Sequence, residues 1–444
     1  MTTTPEKIDL LIEPRWIAAV DSDSTLSNHA VAINKDRIVA VLPTREARTR
    51  FAPTTHTKLD DHILIPGLIN LHTHAAMTLM RGIADDLPLM EWLQKHIWPT
   101  EGANLSPQFV HDGTRLACAE MLKGGITCFN DMYFYPDAAA SAASDLGMRA
   151  VLGITTLEFP TPYASDATDY ISKGLAVRQD WLSNPLINFC LAPHAPYTVT
   201  DASFERILTL SEQLNLPIHC HLHETAQEVE ESIRQHGMRP LKRLHRLGLL
   251  GPNLIGVHAV HLNDDDLELL ATTSSNIAHC PTSNLKLASG LAPVAKMRQI
   301  GINVGLGTDG AASNNRLDMF AEMRLASLLA KGVSGNAQAL PAREVLRMAT
   351  LGAAQALGMA DRIGSITPGK QADLCAIDLG APETRPCFDP LSHVINVAGR
   401  EHVTHVWVAG KCCVDNKSLR KTKQNNLESA LALWQNILEF RQQS

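Results

Sequence analysis

The chain has 444 residues, too many for one simple core, and is 45% hydrophobic and 19% charged, as ordinary globular proteins are. Its net charge of −7, with Lys and Arg clustered only around Lys411 to Lys423, argues against a nucleic-acid-binding face. No apolar run reaches the roughly 18–20 residues that span a bilayer, so neither nucleic acid nor membrane is an expected partner.

The start, Met1-Thr2-Thr3-Thr4-Pro5-Glu6, lacks a basic stretch followed by an apolar core, so no signal peptide is expected. Nine cysteines, an odd count without a Cys-x-x-Cys pair, fit reduced thiols and a cytoplasmic protein.

In chain order, residues 8–60 carry short β-prone runs (Val31-Ala32-Ile33, then Ile38-Val39-Ala40-Val41-Leu42) separated by turn residues. One theme then repeats eight times: a short β-prone run ending in polar or ionisable residues, followed by a helical stretch. The runs are Leu64–His74, Thr127–Tyr133, Ala150–Leu157, Ile187–Tyr197, Pro217–Glu224, Leu254–His261, Asn276–Asn284 and Ile302–Gly310. Alternation of this kind implies a parallel sheet with crossover helices, and eight repeats imply a barrel whose functional groups gather at the C-terminal strand ends. Residues 363–415 return to β-prone runs with Pro-Gly and Ala-Gly turns, the mark of an antiparallel sheet. The expected fold is therefore α/β: a (β/α)8 TIM-type barrel over 64–362, with a small β-sandwich domain formed by both chain ends, 1–63 and 363–420. A helix within 421–444 is expected to pack on the outside.

The chemistry begins at His72-Thr73-His74. On a strand, residues i and i+2 share a face, so two imidazoles at the end of a buried strand aim at one point. Run five adds His219, His221 and His223 at alternate positions, run six adds His258 and His261, run four adds His194, and run eight ends on Asp309. Any one buried His is more often a core residue than a ligand. Six such groups (His72, His74, His194, His221, His258, Asp309) falling at strand ends in one barrel register is hard to obtain by chance. Imidazole and carboxylate together suit zinc and similar divalent ions. Within run five, either His219 or His223 could replace His221 as the ligand, and His279 could face a substrate or support a ligand.

Pro66-Gly67-Leu68-Ile69-Asn70-Leu71-His72-Thr73-His74, the run-five and run-six His and Thr308-Asp309 together resemble the amidohydrolase superfamily. The resemblance extends over nearly the whole chain, through Gly364-Ser365-Ile366-Thr367-Pro368-Gly369-Lys370-Gln371-Ala372-Asp373-Leu374. Four further stretches are similar to the branch that deaminates 5′-methylthioadenosine and S-adenosylhomocysteine: His74 to Gly82, Asp85 to Leu93, Trp98 to Glu101, and His279 to Leu287.

The resemblance implies a mononuclear site, because run four (Cys190 to Tyr197) has no Lys to bridge two ions. The implied metal ligands are His72, His74, His221 and Asp309 around one Zn2+ per subunit, with Fe2+ as the alternative. It implies Glu224, His258 and Asp309 as catalytic residues: Glu224 shuttles protons, and the other two hold and deprotonate the attacking water. Glu224 could otherwise be read as an acid favoured at a helix N-terminus. Substrate binding falls to Glu101 (on ribose hydroxyls), His194, Glu224 and Asp309. The Leu87 to Leu93 stretch, with Ile97 and Trp98, is a candidate apolar wall for a thioether. Many relatives carry an Arg where this chain reads Gly153-Ile154-Thr155-Thr156-Leu157, which shifts the expectation toward the uncharged methylthio substrate.

The expected activity is thus a metal-dependent hydrolytic deamination of a small nucleoside thioether by a homo-oligomer. The alternatives are an aminohydrolase or chlorohydrolase acting on guanine, a pterin or an s-triazine, and a metal-binding barrel without turnover.

Overall fold

The computed structural model describes residues 4–22, 24–420 and 424–442. Eight parallel strands form one sheet in sequence order: β1 (Leu68–Thr73), β2 (Ile126–Asp131), β3 (Arg149–Thr156), β4 (Ile187–Pro193), β5 (Ile218–Leu222), β6 (Leu254–His258), β7 (Asn276–His279) and β8 (Asn303–Leu306). Every residue of β1, β2, β3, β5, β6 and β7 is buried. Strands covered on both faces read as near-continuous apolar runs, which is why all eight were legible as short β-prone segments. Helices fill the connections, several of them started by side-chain caps: Asp166, Thr200, Thr225 and Asn263 each accept from backbone N–H groups of the first turn.

The sheet curls until its two edges meet. Past the end of β8, the Asp309 N–H donates to the His72 carbonyl at 3.0 Å. Asn70 bridges the same seam, its amide nitrogen donating to Thr308 Oγ1 at 2.7 Å and its oxygen accepting the Thr308 N–H at 2.9 Å. Gly307 makes the close approach possible, since a Cβ there would stand 2.8 Å from the His72 nitrogen.

The first expected run, Leu64–His74, is two strands. Phe51–Pro66 pairs antiparallel with Leu374–Asp378, Pro66 opposite Leu374, and the barrel strand begins after Gly67. A Cβ at Gly67 would lie 2.1 Å from Thr127 Oγ1, so the chain can change sheets there only as glycine.

The chain ends build a nine-stranded mixed sheet in the order 418–419, 411–415, 403–408, 374–378, 51–66, 6–18, 29–34, 37–43, with 25–27 beside 6–18. Its pairings are antiparallel as the turns imply, except that Glu6–Ala18 runs parallel to Phe51–Pro66. Parallel neighbours need a crossover connection, and three strands plus the helix Thr44–Arg50 supply it. Leu10, Ile12, Ile33, Ile38, Leu64, Leu374 and Trp407, drawn from across the sheet, share one core.

By compactness the chain divides into Met1–Ile69 with Met121–Cys128 and Asp318–Arg420, and Asn70–Glu120 with Phe129–Leu317 and Lys421–Ser444. In the second unit the C-terminal helix Gln424–Gln442 sets Trp434 edge-on to Phe109, ring centres 5.1 Å apart, and its indole N–H donates to Asp112 at 3.0 Å. Among the described residues no helix is long and apolar enough to cross a membrane.

Candidate active site

The C-terminal ends of the barrel strands converge. His72 Nε2 and His74 Nε2 lie 3.2 and 3.3 Å from Asp309 Oδ1, and His221 Nε2 lies 3.3 Å from His72 Nε2. His72, His221 and His258 also group their ring nitrogens within 4.8 Å of one another. The outward ring atoms are already committed: His74 Nδ1 to the Met132 carbonyl at 2.6 Å, His221 Nδ1 to the His194 carbonyl at 2.8 Å, and His258 Nδ1 to Asn284 Oδ1 at 2.8 Å. Such partners fix the tautomer and turn the Nε2 lone pair inward, as ligating histidines require. His72 Nδ1 meets His219 Nε2 at 2.9 Å. Asp309 is held just as firmly, with Oδ2 accepting from Ser283 Oγ at 2.6 Å and Ser313 Oγ at 2.8 Å.

Burial opposes charge on Asp309, but the two imidazoles bonded to it outweigh this and hold its carboxyl well below the usual range. The same carboxylate raises His74 to about 9 against its burial, whereas burial prevails at His72 and lowers it to about 4. Convergent imidazoles on an ionised carboxylate, buried except for the partly buried His74 and braced from behind, fit a borderline divalent ion once His74 gives up its proton.

His221, not its neighbours in run five, faces this centre. His219 stands behind His72. His223 lies beyond the end of β5 in a left-handed conformation, φ 54°. That breaks the strand alternation and turns its ring aside, Nδ1 to the His261 carbonyl at 3.0 Å and Nε2 accepting the Leu241 N–H at 3.0 Å. His258 (φ 71°) and Asp309 (φ 62°) are held left-handed too. Strain of this kind in non-glycine residues collects at functional sites.

A cavity of about 330 Å³ opens over the centre. His74, His194, His221, Glu224, His258 and Asp309 line it, and so does Glu101 from the helix Trp98–Asn104. His72 is fully buried beside them, so all eight residues singled out in the sequence meet in one place. Glu224 Oε2 lies 3.7 Å from His258 Nε2, and burial raises its pKa above the ordinary carboxyl value. His194 packs its ring 4.8 Å from that of His221. Leu89, Trp92, Leu93, Ile97 and Trp98 form an apolar wall, and no Lys or Arg lines the cavity among the described residues. His279 is buried and does not line it.

Several participants were not singled out in the sequence. Tyr133, past the end of β2, donates its hydroxyl to Glu101 Oε1 at 2.7 Å. Ser313 holds Asp309. Glu228 accepts the N–H groups of His223 at 3.0 Å and Glu224 at 2.8 Å. The Thr225-x-x-Glu228 spacing is a capping-box pattern and could have announced Glu228; no local signal marks the others.

Residues 63–413 match the Amidohydrolase family. The chain is 48% identical to a 5-methylthioadenosine/S-adenosylhomocysteine deaminase of Saccharophagus degradans, over 98% of this chain and 97% of that one. A protein of the same name from Teredinibacter turnerae is 44% identical, over 98% and 99%. Among solved structures, an adenosine deaminase from Xanthomonas campestris with bound zinc superposes with a TM-score of 0.97 at 49% identity, covering 98% of this chain and 100% of that one. Atrazine chlorohydrolase from Arthrobacter aurescens, complexed with zinc, gives 0.88 at 25%, covering 96% and 99%. With histidines and an aspartate converging at the strand ends and likeness along nearly its full length, the chain belongs to the amidohydrolase family.

Proposed function

We propose that the protein hydrolyses the exocyclic C6–N bond of 5′-methylthioadenosine, and to a lesser extent of S-adenosylhomocysteine or adenosine, giving the inosine analogue and ammonia. The observation that carries this reading is that one cavity holds both the histidine–aspartate centre with Glu224 beside it and, on its wall, a second buried carboxylate, Glu101. The full-length relatives named for this activity support it.

His72, His74, His221 and Asp309 would hold one divalent ion, zinc in the first instance and iron as the alternative. Bound there, such an ion supplies Lewis acidity and lowers the pKa of coordinated water to about 7. The chain's own groups do the rest. His258 and Asp309 orient the attacking water and take up its proton. Glu224, kept protonated more readily by burial, delivers a proton to the ring nitrogen as C6 is attacked. It takes up the remaining proton of the added hydroxyl as the C6 carbonyl forms, and passes it to the amino group, which leaves as ammonia; the proton held by His258 and Asp309 then restores Glu224. Glu101 accepts from the ribose hydroxyls, His194 packs against the substrate, and the Trp92–Trp98 wall receives the methylthio group. A cavity without a lining cation favours an uncharged 5′ substituent over a homocysteine tail.

The second reading, hydrolysis at another ring such as an s-triazine, guanine or a pterin, draws on the likeness to atrazine chlorohydrolase. Ultraviolet monitoring across methylthioadenosine, S-adenosylhomocysteine, adenosine, guanine and atrazine separates the two. The proposal expects kcat/KM to be highest for methylthioadenosine; turnover confined to a free base or triazine would refute it. Self-association and a cytoplasmic location complete the proposal, the latter supported by an odd count of nine cysteines with no Cys-x-x-Cys pair. Native mass measurement tests the former.

A further inference from the structure

We infer that Tyr133 is a specificity-determining positioning residue, which orients the Glu101 carboxylate for the sugar diol. The inference rests on the nucleoside reading above. Tyr133 and Glu101 come from different parts of the barrel mouth, the loop after β2 and the helix after β1, and both side chains are buried while lining the cavity. The phenol O–H donates to Oε1 at 2.7 Å, and among the described residues it is the one hydrogen-bond partner of that carboxylate. Burial pushes Glu101 up to about 7, against the pull of the phenol and of the nearby His74. A protonated or freely rotating acid would receive two adjacent hydroxyls poorly. A phenol fixed on one oxygen keeps the group an acceptor and leaves the other oxygen, with the remaining lone pairs, for the ligand.

Tyr133 is itself fixed. Its carbonyl accepts from Thr155 Oγ1 at 2.9 Å, and its ring packs against Phe134 with centres 5.3 Å apart. The tyrosine touches the carboxylate rather than the reacting carbon, so its effect belongs in substrate affinity and not in the chemical step.

The test compares wild type, Tyr133→Phe, Glu101→Gln and the double variant on methylthioadenosine and on 2′,3′-dideoxyadenosine, with zinc content and melting temperature as controls. A hydrogen bond to a charged group implies that Tyr133→Phe raises KM for methylthioadenosine roughly 10- to 100-fold, with kcat within about threefold. KM for the dideoxy compound should stay at the wild-type value, and the double variant should lose no more than Glu101→Gln alone. Equal losses on both substrates, additive losses, or an unchanged KM for methylthioadenosine would overturn the inference. If Glu101→Gln itself leaves methylthioadenosine unaffected, the ribose-recognition reading fails first and takes the inference with it.

Discussion

Nε2 of His221 stands 3.3 Å from Nε2 of His72, and the far nitrogen of the His221 ring is already committed to the His194 carbonyl. The second imidazole therefore presents a lone pair to the first, in a buried place where Asp309 Oδ1 lies 3.2 Å from the same His72 nitrogen. A single proton can satisfy one of these pairs; a cation satisfies all of them.

Metal uptake should be linked to proton release. Burial disfavours the His74 imidazolium, yet the facing Asp309 raises it to about 9 in the metal-free protein. Below that pH an incoming ion must displace a proton, so apparent affinity should fall about tenfold for each unit of pH lowered. Calorimetric zinc titrations of the metal-free protein, run near neutrality in buffers of differing ionisation heat, should report about one proton released per ion. Binding that releases none speaks against this arrangement.

Glu224→Gln should lower kcat by about 10²–10⁴-fold while zinc content and KM hold, because the amide keeps the shape and loses the shuttled proton. Steady-state kinetics with elemental analysis decide it. A variant that retains more than a tenth of wild-type turnover assigns the proton transfers elsewhere.

Glu228 braces the strained turn that aims Glu224. Glu228→Gln leaves one acceptor oxygen for two buried N–H groups, so a loss of about 1–3 kcal/mol in folding stability is expected. Urea unfolding measures it, and an unchanged midpoint shows that the clamp carries no weight.

In the mixed sheet, buried Glu13 receives Arg48 at 2.6 Å and His56 at 2.9 Å. The Arg48 hydrogen bond, helped by the charge of His56 and opposed by burial, lowers its pKa below the usual 4.5. A depressed carboxylate pKa gives its full stabilisation above about pH 4.5, the unfolded-state value, and loses it as pH falls from there through the lower folded-state value. Urea midpoints taken between pH 7 and pH 3 should drop more steeply for wild type than for Glu13→Gln; parallel curves are the contrary result.

The barrel and the residues that converge at its strand ends were legible because most of its strands are buried on both faces and several run directly into an ionisable group, a local signal. Gly67 was not legible as a break, since the apolar run continues on both sides of it, from Leu64 to Ile69, and the Thr127 side chain that demands glycine is 60 positions away. The parallel pair in the mixed sheet escaped for a similar reason: turn residues report neighbouring strands, while Phe51–Pro66 pairs across a crossover. His223 sits in register with His219 and His221, and only its backbone, φ 54°, removes it from the centre. Asn284 behind His258, Ser313 behind Asp309 and Tyr133 behind Glu101 act through contacts that no spacing encodes.

The most direct measurement is ammonia release from 5′-methylthioadenosine by the zinc-loaded protein, by the same sample after exhaustive chelation, and after zinc is restored. Ammonia equimolar with the inosine analogue, abolished by chelation and recovered with zinc, is the predicted result. Undiminished release from protein shown by elemental analysis to hold no metal would contradict the account.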